Sequence, residues 1–282
     1  MDNLKAKKRH PEEIAVYSAI YVCAAFSVLL LLGIIVYVFA KGARRVNWAF
    51  LTGVTSILHG TVGIAGNILN TLIIILLTMI ITTPIGVGAA IYLNEYAKPG
   101  KLVTVIIFAT ETLAGIPSII FGLFGMLFFG QLCHMGYSLL TGSLTLTLMV
   151  LPLVTRNTQE ALKTVPDSFR TGAVGLGAGK WYTIRTILLP SAMPGIVTGV
   201  ILAIGRIIGE SAALLFTAGS AHLLPKTFDA FLEKIFHSGG TLTIQLYLSA
   251  SKGEFEVAFG IAVVLLVIVL LINFGTKRLA KK

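Results

Sequence analysis

Charge is scarce in this chain. Of its 282 residues only 12% are Asp, Glu, Lys or Arg, and the acidic ones number 12. Water-soluble domains carry about 25% charge, so a soluble globular class is excluded. Cysteine is nearly missing too: Cys23 and Cys133 each lie in or beside an apolar run. That excludes a disulfide scaffold, and both read as small buried hydrophobes. The histidines at 10, 59, 134, 222 and 237 show no metal-ligand spacing. No G-x-S-x-G and no H-E-x-x-H occurs, which leaves an intramembrane hydrolase without its chemistry.

What is abundant is apolar surface, at 56% of residues with a mean hydropathy of +0.90. A helix needs about 20 apolar residues to cross the hydrocarbon. Six segments qualify: 14–40, 69–93, 103–129, 137–155, 193–218 and 257–274. They predict an all-α polytopic membrane protein with six transmembrane helices. The first segment follows Lys5, Lys7, Lys8 and Arg9, as a cleaved leader would, but it is far longer than a leader's core of about 7–15 residues. It is read as a permanent span.

The formal charge of +10 is a matter of topology. If the N-terminus is cytoplasmic, Lys and Arg fall mostly on the inner connections and the two tails. Only Lys41, Arg44, Arg45, Lys226, Lys234 and Lys252 are left outside. This is the positive-inside pattern, with both termini cytoplasmic and no nucleic-acid partner.

The inner connection 156–192 is long for a loop without function. Thr164-x-x-Asp167 has capping-box spacing, predicting a helix over 165–176. Gly175, Gly177 and Gly179 break it. A second amphipathic helix is expected from Lys180, with Trp181, Ile184 and Leu188 on one face, interrupted by Pro190. Gly179-Lys180 invites a nucleotide-loop reading, but G-x-x-x-x-G-K-[ST] needs Gly at 174 and a hydroxyl at 181. Val174 and Trp181 stand there. The chain therefore binds no ATP at this place. On the outer side, 227–236 is expected to be amphipathic, and 241–249 to dip back into the protein.

Gly177, followed after nine residues by Ile187-Leu188-Leu189-Pro190, resembles half of the coupling signature of bacterial ABC-importer permeases. In that family the element docks on a separate ATPase. The family's Glu-Ala-Ala is replaced by Thr171, Gly172 and Ala173. The segments Thr71–Tyr96, Glu111–Gly125 (ETLAGIPSIIFGLFG) and Gly205–Thr217 (GRIIGESAALLFT) are similar to the permease A subunits of phosphate-specific importers. The likeness covers about 67–275. It implies a type I (MetI-like) permease fold with cytoplasmic coupling helices. The coupling residues it implies are Thr171, Gly172, Ala173, Gly175, Gly177, Trp181, Ile184, Ile187, Leu189 and Pro190.

Independently of any resemblance, an arginine at a helix centre costs about 2.5–3.5 kcal/mol to insert and so faces protein or a pore. Arg206 and Glu210 are four residues apart, predicting one helix face. For the phosphate path that the resemblance implies, guanidinium suits the ion's oxygens, so a gate is expected in which Glu210 holds Arg206 until phosphate competes for it. A purely structural ion pair is the alternative. In the resembled family these two form the charged pair of the path. Arg156 reads equally as a phosphate contact or a positive-inside anchor. Glu111, followed by Gly115 and Pro117, reads as structural, pairing with a partner's arginine or capping a broken helix. Gly195-x-x-x-Gly199 and Gly205-x-x-x-Gly209 read as close-packing faces.

The expected function is thus a non-enzymatic transport subunit importing inorganic phosphate. Its expected partners are a second, homologous permease, a P-loop ATPase dimer, an extracytoplasmic phosphate-binding protein and the bilayer. No cofactor is expected in this chain, ATP and Mg belonging to the ATPase. A permease for phosphonate, sulfate or molybdate stays open, as does an ion-coupled transporter, although no internal repeat supports the latter. The expected organisation is a tail over 1–13, the first span and its outer connection over 14–66, the permease domain over 67–275, and a basic tail over 276–282.

Overall fold

The structure, a computed structural model, describes residues 11–56, 61–98, 100–225 and 227–280. The basic N-terminal run, Lys226, Lys281 and Lys282 lie outside the described residues. Helix α1 (Pro11–Gly42) is apolar on every side, with none of its spanning window buried in the chain. Cys23 is exposed on it and Cys133 is exposed elsewhere, so the expectation that both are buried is wrong. A helix that is greasy all round keeps its outer face for lipid or another subunit.

A short helix α2 (Trp48–Thr52) follows, capped by the Asn47 side chain. Strands β1 (Val54–Ser56) and β2 (Thr61–Ile64) then pair antiparallel, an addition to the all-helical expectation. Helix α3 (Ala65–Ile91) runs on through a π-helical turn, Tyr92–Tyr96. The third predicted span is broken: α4 (Lys101–Gly115) and α5 (Ser118–Gly125), extended by a π-helical stretch to Leu132, meet at 102°. The cause is local. Ile116 and Pro117 are extended, because proline disfavours a helical residue before it.

Helix α6 (Leu139–Lys163) is the central post, packed on α3, on α5 and on the fifth span. It buries Leu146, Met149, Val150 and Val154. Lipid tails are as apolar as these side chains, so close packing rather than water exclusion holds such helices together. The buried hydroxyls of Ser143, Thr145 and Thr147 return to the carbonyls four residues back, each at 2.8 Å. Those three hydroxyls are thus satisfied within the helix, while Thr158 Oγ1 further along α6 is buried without a partner.

Helix α7 (Asp167–Gly175) opens the inner connection. The expected capping box does not form. Thr164 donates instead to Ala161 O at 2.8 Å, and Pro166 takes the cap position. Helix α8 (Lys180–Thr183) passes through a π-helical turn (Ile184–Leu188) into α9 (Leu189–Gly209). The predicted interruption at Pro190 is thus absent: the proline sits in the first turn of α9, where its missing N–H is tolerated. The fifth span runs from Lys180 to Gly209 rather than 193–218. Gly195 and Gly199 press on Ala161 and Asn157 of α6, whereas a side chain at Gly205 or Gly209 would meet nothing. Only the first small-residue pair is therefore a packing face within this chain.

Beyond Gly209 come α10 (Ala212–Thr217), α11 (Phe228–Glu233) with a 3-10 turn to Phe236, and α12 (Leu242–Ser251). The expected re-entrant piece is helix α12, which buries Leu242, Ile244 and Ser249. Helix α13 (Phe255–Ala280) packs against α12, α9 and α1.

Candidate functional site

Two places bring the candidate residues together. The first is a cavity of about 180 Å³ lined by Thr110, Glu111 and Ala114 of α4, by Met149, Pro152, Leu153 and Arg156 of α6, and by Arg206 of α9. Liquid water occupies about 30 Å³ per molecule, so the space suits a small ion rather than a drug-sized ligand. Pro152 removes one backbone donor from α6 beside it. Two guanidinium groups and one carboxylate face this space, and among the described residues none of the three is in an ion pair. Unpaired arginines beside a cavity between spans are poised for an anion.

The expected Arg206–Glu210 pair is not formed. Helix α9 stops at Gly209, and Glu210 is extended. Its Oε1 accepts from Ala213 N in the first turn of α10 at 3.1 Å, while Thr243 of α12 donates to its carbonyl at 3.0 Å. The i, i+4 rule requires a continuous helix, and here the helix ends first. The carboxylate that shares the cavity with Arg206 is Glu111, for which a structural role was expected. Gly115 and Pro117 lie at the bend just beyond it.

The second place is the inner connection. Helix α7 closes with a Schellman turn, in which Ala178 N donates to Ala173 O and Gly177 N to Val174 O, both at 2.9 Å. Gly177 has φ +81°, a conformation that side chains with a Cβ disfavour by about 1–2 kcal/mol. This is the physical reason for a glycine at that point. Ala173 is buried, and the Thr171 hydroxyl turns back to Asp167 O and Ser168 O. A side chain at Gly172 or Gly175 would meet nothing.

The expected apolar face of Trp181, Ile184 and Leu188 is divided. Ile184 and Leu188 are each 1% exposed and belong to the chain's own core with Leu162, Val165 and Ile196. Ile187 and Leu189 pack on the edge of that core. The side chains that do present themselves are Phe169, Val174, Leu176, Trp181 and Tyr182, Leu176 being 91% exposed.

What fastens this element to the spans went unrecognised in the sequence. Arg170 binds Glu95 in bidentate fashion, with Nη2 at 2.9 Å from Oε1 and Nε at 3.3 and 3.4 Å from the two oxygens. It also donates to the carbonyls of Leu162 and Val165 and to Asp167. The hydrogen bond to Glu95 raises its pKa further, so it is charged at every physiological pH. Lys180 Nζ sits 4.6 Å from the Tyr96 ring centroid, a cation–π contact. The inner end of α3 is therefore gripped from both sides of the glycine turn. One signal was present: Glu95 is an acid at the end of an apolar span that the charge pattern predicts to be cytoplasmic, where positive charge is the rule.

A family model described as "Binding-protein-dependent transport system inner membrane component" matches residues 82–282. The chain is 36% identical over 267 residues to "Probable ABC transporter permease protein YqgI" of Bacillus subtilis, covering 91% of each. It is 34% identical over 244 residues to "Phosphate transport system permease protein PstA" of Xylella fastidiosa, covering 85% of this chain and 82% of that one. Among solved structures, that of a bacterial alginate ABC transporter in complex with an alginate pentasaccharide-bound periplasmic protein matches with TM-score 0.68 at 16% identity over 96% of each chain. At that identity the likeness is one of fold.

Proposed function

The chain belongs to the binding-protein-dependent transport system inner membrane components, and from that premise we propose that it is a permease subunit of an ATP-driven importer of inorganic phosphate. The substrate reading is carried by its 34% identity, along most of both chains, to a phosphate permease. Membership of the family implies an ATPase and an extracytoplasmic binding protein as partners. The second permease is a homologous chain, and it covers the outward face of α4, which has no buried residue in this chain. The coupling loop is cytoplasmic, and both termini lie on that side. The chain itself performs no catalysis, and ATP and Mg are bound by the ATPase.

The mechanism follows from the two places described. Phosphate released by the binding protein reaches the cavity between α4, α6 and α9, where Arg156 and Arg206 bind its oxygens. Two positive charges against the single carboxylate of Glu111 leave a net attraction for a mono- or dianion. Glu111 takes the role first expected of Glu210: it competes with phosphate for the guanidinium groups and prevents the ion from staying. A site that conducts must hold its ion weakly enough to let go. ATP-driven closure of the ATPase moves α7, and the links to Glu95 and Tyr96 carry that movement into α3. Because α3 packs along α6, the cavity wall moves with it.

The test is uptake of radioactive phosphate into proteoliposomes holding the assembled transporter, its ATPase, its binding protein and ATP. Saturable uptake that sulfate and molybdate do not inhibit is expected. Uptake of sulfate or molybdate in preference to phosphate would overturn the substrate, and no ATP-dependent uptake would overturn the importer.

A further inference from the structure

A cavity of about 900 Å³ plays no part in that mechanism. It lies at the end of the bilayer opposite the coupling element, between the last turn of α1 and the first turn of α13, lined by Tyr37, Lys41, Arg44, Arg45, Phe255 and Glu256 among others. Its side follows from chain direction. Helices α3 and α6 end at Arg170, α9 leads away from there, and α13 begins at the far end.

From this groove we infer a binding site for the phosphate headgroup of an acidic membrane lipid. Three observations carry the inference. First, positive charge is disfavoured on the side opposite the cytoplasmic connections, yet Lys41, Arg44 and Arg45 cluster there within five positions. Second, the cluster is unneutralised. Among the described residues none of the three is in an ion pair, and Glu256, the acid in the same wall, pairs with none of them. Arg45 is held in place nonetheless: its stem lies against Gly260 and its guanidinium is 5.9 Å from the Phe50 ring centroid. Its Nε is buried without a hydrogen-bond partner, although a buried donor usually has one. Third, the walls are amphiphilic. The Tyr37 and Phe259 rings, both in its lining, meet edge-on at 5.7 Å, and Gly42 lets the α1 backbone approach that of Phe259 closely. Val36 and Tyr37 of α1, one preceding and one lining the groove, form an exposed apolar flank.

A free phosphate ion would need only a fraction of this volume and would have no use for the apolar flank. A lipid uses both, with its phosphate among the cations and its acyl chains along α1. The net charge of the lining, three cations against Glu256, favours an acidic headgroup over a zwitterionic one. On the cytoplasmic side of membranes, basic pockets between spanning helices hold acidic lipid headgroups, and the same chemistry is present here at the other end. The inference does not depend on which ion the transporter carries.

The experiment titrates the full-length chain, purified in mild detergent with whatever partners accompany it, with phosphatidylglycerol, phosphatidylcholine and inorganic phosphate. Native mass spectrometry counts bound lipid. Phosphatidylglycerol is expected to bind, with neither phosphatidylcholine nor inorganic phosphate displacing it. The variant Lys41→Gln/Arg44→Gln/Arg45→Gln is expected to weaken it roughly a hundredfold, since each basic residue near a lipid surface contributes about a factor of five. Glu256→Gln removes the one repulsive charge and is expected to tighten binding several-fold, which a misfolded variant would not do. Equal binding of phosphatidylcholine, displacement by inorganic phosphate, or phosphatidylglycerol affinity unmoved by both variants would each overturn the lipid site.

Discussion

Replacing Arg170 by methionine tests whether the coupling element is fastened as the geometry says. The Glu95 side chain is 8% exposed and that of Arg170 is 23% exposed. The substitution leaves a nearly buried carboxylate with Asn94 Nδ2, at 2.8 Å, as its remaining side-chain donor. Stranding one half of a buried pair costs about 3–5 kcal/mol. The partial exposure of Arg170 places this case at the lower end, about 3 kcal/mol, or roughly a 150-fold rise in the open population of α7. Hydrogen exchange at the amides of residues 167–183 reads that opening directly, with the spans as internal control. The double variant Glu95→Met/Arg170→Met removes the stranded charge and leaves the Leu162 and Val165 carbonyls without their donor. The other groups released are the largely exposed Asp167 carboxylate and the Asn94 amide. At about 1 kcal/mol per carbonyl, it retains a loss of roughly 2 kcal/mol and so exchanges more slowly than the single variant. In proteoliposomes, phosphate uptake falls in step with the opening while basal ATP hydrolysis persists. Unchanged exchange in Arg170→Met, or a double variant worse than the single, would refute the reasoning.

Further outcomes are expected at the other positions. Arg156→Gln and Arg206→Gln each lower phosphate uptake at least tenfold, as loss of a charge-assisted contact worth about 1.5–3 kcal/mol requires, whereas Glu210→Gln keeps uptake and lowers thermal stability by about 1 kcal/mol. Gly177→Val adds about 1–2 kcal/mol of backbone strain at the turn after α7, so affinity for the ATPase in a pull-down drops while the detergent-solubilised chain stays monodisperse. Leu176→Glu abolishes the same pull-down without changing thermal stability, because Leu176 touches little in its own chain. Burial pulls the pKa of Lys234 below the usual lysine value, so the folded outer loop binds fewer protons than the unfolded chain. Stability then rises with pH across the interval between the lowered and the usual value. Lys234→Met flattens that rise in melting curves taken over the alkaline range up to the usual lysine value.

Hydropathy alone determined that the chain is a multi-span helical membrane protein, because each span must satisfy its own backbone and announces itself as a long apolar run. Loop length and the glycine run marked 156–192 as an element of its own, and the resemblance of its G-x9-I-x-L-P spacing to importer permeases implied coupling; Gly177 is where α7 turns. Local marks fail where distant parts of the chain decide. Pro190 reads as a break, but a π-helical turn before it lets the helix continue. Glu210 reads as the i+4 partner of Arg206, but the helix ends one residue earlier and Thr243, 33 positions on, holds the Glu210 carbonyl. Ile184 and Leu188 read as a docking face, but Leu162 and Val165 already cover them. Only the tertiary structure could set Glu111 beside Arg156 and Arg206, or Arg170 on Glu95. Each of those meetings depends on how α3, α4, α6 and α9 pack, and packing between spans leaves no period in any one of them.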